Sequence, residues 1–100
     1  MARSDESALI ALTLEYAEAV RVRDVPRWAA TWTEDARWVL GADRDVVGID
    51  AIVDMWSASI AKYSVVAQVY TACTYDVDGD TATGRCQLLE LNVRQDGGRH

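Results

Sequence analysis

Two long runs rich in Val, Thr and Tyr, Ser64 to Val77 and Asp80 to Arg94, meet at Asp78-Gly79. Long β-forming stretches separated by an Asp-Gly pair specify an antiparallel hairpin with a two-residue turn. A two-stranded hairpin is not stable alone in water, so its apolar face must be covered by another part of the chain. What precedes it is mainly helical, which makes the fold class α+β, with three N-terminal helices packed on an antiparallel sheet.

The helices can be placed from their own signals. Ser4 reads as an N-cap with Asp5 and Glu6 in the first turn, and Leu9, Leu12, Tyr16, Ala19 and Val20 recur at helical spacing to about Arg23. Asp24-Val25-Pro26 reads as a capped restart, since proline is tolerated in the first turn of a helix. This short helix places Trp28 and Trp32 one turn apart. Ala36 to Leu40 is a strand candidate, Gly41 to Gly48 is polar and turn-rich, and a third helix runs from about Ile49 to Tyr63 with Ile52, Met55, Trp56 and Ile60 as its apolar stripe.

Pairing Val77 with Asp80 sets a register for the hairpin. The more apolar face then holds Val65, Ala67, Val69, Thr71, Cys73 and Tyr75 opposite the even-numbered residues from Ala82 to Asn92, and faces the helices. Gln68 and Tyr70 fall on the other face, and a β-bulge would exchange the two. In this register Cys73 and Cys86 are diagonal neighbours, too far apart for an easy disulfide.

Composition removes several function classes. The formal charge is −6 and Lys62 is the single lysine, so the chain lacks the basic footprint of a nucleic-acid-binding surface. No apolar stretch reaches the length of a membrane span, and the Ala8 to Leu12 run is flanked by acidic residues rather than the basic start of a signal peptide. The expectation is a cytoplasmic protein with both cysteines reduced. The one histidine is His100, so neither a histidine-based metal site nor a histidine acid–base is available inside the fold.

Four words carry a family resemblance: Tyr16-Ala17-Glu18-Ala19, Asp24-Val25-Pro26-Arg27-Trp28, Thr33-Glu34-Asp35-Ala36-Arg37-Trp38 and Asp78-Gly79-Asp80-Thr81-Ala82-Thr83-Gly84-Arg85. In this order and spacing the sequence resembles SnoaL-like proteins, the branch of the nuclear-transport-factor-2-like superfamily that includes polyketide cyclases and scytalone dehydratase. The resemblance implies one domain over 1–100, a cone-shaped, cystatin-like fold with a pocket inside, and pairing of two copies through their sheets as a homodimer. Such domains continue with two further long strands. Asp96-Gly97-Gly98 is a turn signal and Arg99-His100 reads as the start of a next strand, so the chain is expected to be C-terminally incomplete or completed by a partner. The related dehydratases use a sheet histidine and an aspartate near the end of the first helix. Here those places hold Ala67 to Tyr70 and Arg21.

The candidate chemistry follows from this frame. Glu90 lies on the helix-facing side beside Leu88 and Asn92, and a carboxyl group in apolar surroundings can serve as a general base or acid. Tyr16 and Asn92 are the candidate hydrogen-bond donors to a ligand oxygen. Trp38, Met55, Val69, Tyr70 and Leu88 are the candidate ligand-binding wall. The expected ligand is a small apolar ring compound of polyketide or steroid type. The expected reaction is isomerisation or dehydration, which needs no metal or organic cofactor. The alternative is a non-catalytic ligand-binding or dimerisation module, and the replaced histidine and aspartate favour it.

Overall fold

The structure, a computed structural model, describes residues 2–41 and 44–95, with side chains from residue 5 onward. The expected turn and strand start at Asp96 to His100 lie outside the described residues. The order of elements is α1 (Ala2–Val22), α2 (Val25–Ala29), β1 (Arg37–Val39), β2 (Asp45–Val47), α3 (Ile49–Ile60), β3 (Tyr63–Asp78) and β4 (Thr81–Arg94).

α1 begins two residues before Ser4, so Ser4 lies within the helix rather than capping it. The Asp24 cap forms as its sequence requires: the carboxylate accepts from the Arg27 backbone N–H at 3.2 Å, and Pro26 occupies the first turn of α2. The stretch read as turn-rich contains a strand: β2 pairs antiparallel with β1, Trp38 opposite Val46, and the Arg37 guanidinium holds Asp45 across the pair. A three-residue strand carries too little periodicity to stand out from a loop.

The hairpin departs from the expected register in two ways. Asp78 pairs with Thr81 and the loop is Gly79-Asp80, with Gly79 at φ 60° in the first loop position. A turn with glycine there matches the type II′ class rather than the expected turn with glycine second. That slip moves the pairing by two residues, which leaves the faces unchanged. The second departure is a bulge at Thr71, between the pairs Tyr70–Leu88 and Ala72–Gln87. One extra residue reverses the side-chain alternation from Tyr70 back to Val65, where a second shift, at Ser64, precedes Tyr63. Val66, Gln68 and Tyr70 therefore turn inward, together with Leu88, Glu90 and Asn92, while Val65 and Val69 point outward, 44% and 58% exposed.

The core is small and centred on Trp28. Ala19 and Val20 of α1, Trp28 of α2, Ile52 and Trp56 of α3, and Val66 of β3 are buried. Trp28 stacks on Trp56 at 4.1 Å between ring centroids, and Tyr16, Trp32 and Trp38 surround it at 5.8, 5.5 and 5.7 Å. Aromatic pairs at these separations add stabilisation beyond the area they bury. The cluster joins α1, α2, β1 and α3 into one layer against the inner face of the hairpin.

Candidate functional site

α1 crosses the inner face of the hairpin and leaves a cavity of about 360 Å³ between them. That volume lies within the range of small-molecule sites. Leu12, Thr13 and Tyr16 line it from α1, Thr31 and Trp32 from the segment after α2, Gln68, Tyr70 and Tyr75 from β3, and Gly84, Cys86 and Leu88 from β4. The hairpin supplies these residues because of the bulge: without Thr71 as the extra residue, Gln68 and Tyr70 would face away.

The polar groups form a connected chain at one side. The Tyr70 hydroxyl donates to Gln68 Oε1 at 3.1 Å, and Gln68 Nε2 donates to Glu90 Oε2 at 2.8 Å. Asn92 Nδ2 donates to the other Glu90 oxygen at 3.2 Å. Burial pushes the Tyr16 hydroxyl up to about 12, and the Glu90 carboxylate and Tyr70 add to the shift. The Trp28 indole N–H opposes it without reaching hydrogen-bond geometry. Tyr70 is raised by its burial and then by Glu90. Both phenols therefore stay protonated at neutral pH; the Tyr70 proton is already given to Gln68, which leaves the Tyr16 hydroxyl as the donor facing the cleft.

A second contact bounds the cleft, which stays open to solvent. The Thr13 and Tyr75 hydroxyls are 2.7 Å apart, tying α1 to β3. The Tyr75 ring lies across Gly84, where a Cβ would meet its Cδ1 at 3.0 Å and would press the ring aside by a few tenths of an ångström. The indole N–H groups of Trp28 and Trp32 and the side-chain oxygen of Asn92 are buried without a partner. Buried polar atoms are rarely left so, and of these three residues Trp32 lines the cleft.

The sequence-derived candidates divide accordingly. Tyr16, Tyr70 and Leu88 line the cavity, and Glu90 and Asn92 keep the inward face expected of them. Glu90 is exposed and lies beyond the lining, bonded to it through Gln68. Val69 is on the outer face, turned there by the bulge. Trp38 packs edge-on against Trp28, and Met55 is half-buried on α3; neither lines the cavity. Arg21 is exposed and ion-paired with Glu18 at 2.6 Å. Thr13, Trp32 and Gln68 were not legible as cavity residues, whereas the expected register already put Tyr75 on the helix-facing side. The helical spacing of Thr13 with Tyr16 was the signal available for Thr13.

A layer of helices closing over a bent antiparallel hairpin with a pocket between them is the α+β architecture of nuclear-transport-factor-2-like proteins. Within that class the chain belongs to the SnoaL-like domain family, which matches residues 1–100. No curated protein matches it. Among solved structures, a Novosphingobium aromaticivorans protein with the provisional name aromatic ring hydroxylase is 29% identical, with a TM-score of 0.87 over 94% of this chain and 68% of that one. A second protein from that organism, provisionally named scytalone dehydratase, is 15% identical with a TM-score of 0.85 over 92% of this chain and 62% of that one. A hexachlorocyclohexane dehydrochlorinase from Novosphingobium barchaimii is 20% identical with a TM-score of 0.81, over 94% of this chain and 66% of that one. The last two likenesses establish the fold alone. The chain spans between 62% and 68% of the length of these three structures. Among the described residues, no helix is long and apolar enough to cross a membrane.

Proposed function

We propose that this domain binds a small hydrophobic ring compound of polyketide or steroid type between α1 and the hairpin, and isomerises or dehydrates it without a cofactor. The observation that carries the reading is an apolar cleft with the protonated Tyr16 phenol in its wall and, at its edge, the exposed Glu90 carboxylate bonded to that wall through Gln68. Tyr16 would donate to a ligand carbonyl oxygen, and Glu90 would take a proton from the adjacent carbon. Tyr70 and Gln68 hold the carboxylate, and Asn92 fixes its second oxygen. The fold is shared with a protein provisionally named scytalone dehydratase, which makes dehydration one of the reactions to test. The same reading has the domain as a cytoplasmic homodimer that pairs through the outer face of its hairpin.

A second reading, ligand binding without turnover, draws on Arg21, whose guanidinium is engaged by Glu18 where the resemblance implies an aspartate. One experiment separates the two. Wild type, Glu90→Gln and Tyr16→Phe are mixed with 2-tetralone in deuterated buffer, and exchange next to the carbonyl is followed by NMR. The expected result is saturable binding with catalysed exchange, and a loss of roughly 10²–10⁴-fold in Glu90→Gln, the size of a general-base contribution. Saturable binding with exchange at the buffer rate in wild type sinks the enzyme and leaves the binding module. No binding in any of the three sinks both.

A further inference from the structure

Cys73 and Cys86 have no part in the chemistry proposed above. In place of the expected diagonal placement they are directly opposed in the β3–β4 ladder, with Cα atoms 4.1 Å apart, and are joined as a disulfide. The slip of the turn by two residues brings them opposite each other. Their spacing is near that of a non-hydrogen-bonded antiparallel pair. Paired residues continue on both sides, Ala72 with Gln87 and Thr74 with Arg85. The backbone ladder therefore holds the two sulfurs together whether or not they are bonded. The bridge spans a separation of 13 residues that the Gly79-Asp80 turn already closes, so it is not what assembles the hairpin.

Position and access give the pair a use. Cys86 is exposed and lines the ligand cavity. Cys73 lines a second cavity of about 200 Å³ on the far side of the Thr13–Tyr75 contact. Exposed bridges exchange with thiols, whereas buried structural ones resist reduction. We propose that Cys73 and Cys86 form a reversible thiol–disulfide site for small thiols of the glutathione type, and that its redox state reshapes the cavity wall.

The exchange balances as follows. A thiolate attacks Cys86 Sγ, the S–S bond breaks, and its electron pair leaves on Cys73 Sγ, which takes up a proton. A second thiolate attacks the reagent's sulfur in the mixed disulfide and releases Cys86, which is protonated in turn. The two reagent molecules depart as their own disulfide, having supplied two electrons. The oxidised reagent runs the sequence backwards. In the bonded state Cys86 Sγ is held toward Cys73; once reduced, each thiol rotates independently and Cys86 can turn into the cavity.

The test uses the full chain in buffers running from fully oxidised to fully reduced glutathione. Samples are acid-quenched, alkylated with iodoacetamide and weighed by mass spectrometry. We expect conversion between zero and two alkylated cysteines within the buffer range, with unchanged far-ultraviolet circular dichroism at both ends. Two alkylatable thiols in fully oxidised buffer, a bridge that persists in millimolar reduced glutathione, or unfolding on reduction each overturns reversible exchange. Trp32 shares the cavity lining with Cys86, so tryptophan emission reports the cavity without any ligand. The expected shift between the two states is absent in Trp32→Phe and in Cys86→Ser. Identical emission in oxidised and reduced wild type overturns the effect on the cavity. None of these readouts uses a ligand, so their failure is distinct from failure of the proposed function.

Discussion

Tyr16 places its hydroxyl where a phenolate would be poorly solvated and close to the Glu90 carboxylate, and its ionisation is raised from near 10 to about 12. The sign of the consequence is fixed by proton binding. Above pH 10 the unfolded chain releases this proton while the folded chain keeps it, so stability attributable to Tyr16 is complete below pH 10. It declines as pH rises toward 12 and is spent beyond that. Its size is about 2–3 kcal/mol. The difference in unfolding free energy between wild type and Tyr16→Phe, measured in urea from pH 9 to 12, should therefore shrink by that order across the window. A pH-independent difference would mean that Tyr16 titrates like an exposed tyrosine. This environment could not be read from residue type. Spacing put Tyr16 on the buried stripe of α1, but the burial that chiefly shifts it comes from packing against distant segments, and the Glu90 carboxylate that adds to it lies 74 positions along the chain.

At the level of elements, the bulge at Thr71 decides which half of β3 lines the cavity. Deleting Thr71 keeps both strands and the turn, yet turns Val66, Gln68 and Tyr70 outward or forces the turn end to slip instead. Val66 belongs to the core and is 6% exposed, so the first outcome also opens the core. The deletion variant should lose about 2–5 kcal/mol, comparable to removing a large core side chain. It should also lose amide-exchange protection along Val65 to Tyr70, measured by NMR. A variant as stable as wild type with the same protection would show that the bulge does not set the faces. Much of this element was legible: two strands, a two-residue turn, and the inward side of β4 down to Glu90 and Asn92. The bulge was not, because Val65, Ala67 and Val69 compete with Val66 and Tyr70 as the apolar set. When both faces of a strand are apolar, alternation cannot choose between them.

For the whole molecule, exposed surface is the controlling quantity. The chain has 7112 Å² accessible, against about 5,600 Å² for a folded monomer of its mass. The outer face of the hairpin carries exposed apolar side chains, where Val65 pairs with Val93, Ala67 with Leu91 and Val69 with Leu89. Leu89 is 67% and Leu91 59% exposed. A contiguous apolar face of this kind is characteristic of an interaction surface. Sedimentation equilibrium should therefore show wild type self-associating. Leu89→Glu, which places a charge at the centre of the face, should weaken association by roughly tenfold or more, corresponding to about 1.4 kcal/mol. A wild type that stays monomeric at every accessible concentration would remove this face as the dimer contact.

Taken alone, the sequence determined what depends on neighbours in the chain. The Asp24 cap, the apolar stripes of α1 and α3, the existence of the hairpin and the acidic, lysine-poor surface all follow from local spacing and composition. The tertiary structure decided what depends on how many residues lie between two distant positions. A slip of two at Gly79-Asp80 brought Cys73 opposite Cys86, and one extra residue at Thr71 exchanged Val69 for Tyr70 in the cavity wall. Side-chain direction in a strand reverses with every residue. A single insertion that scarcely alters local propensity therefore changes which groups meet, and with them the chemistry available.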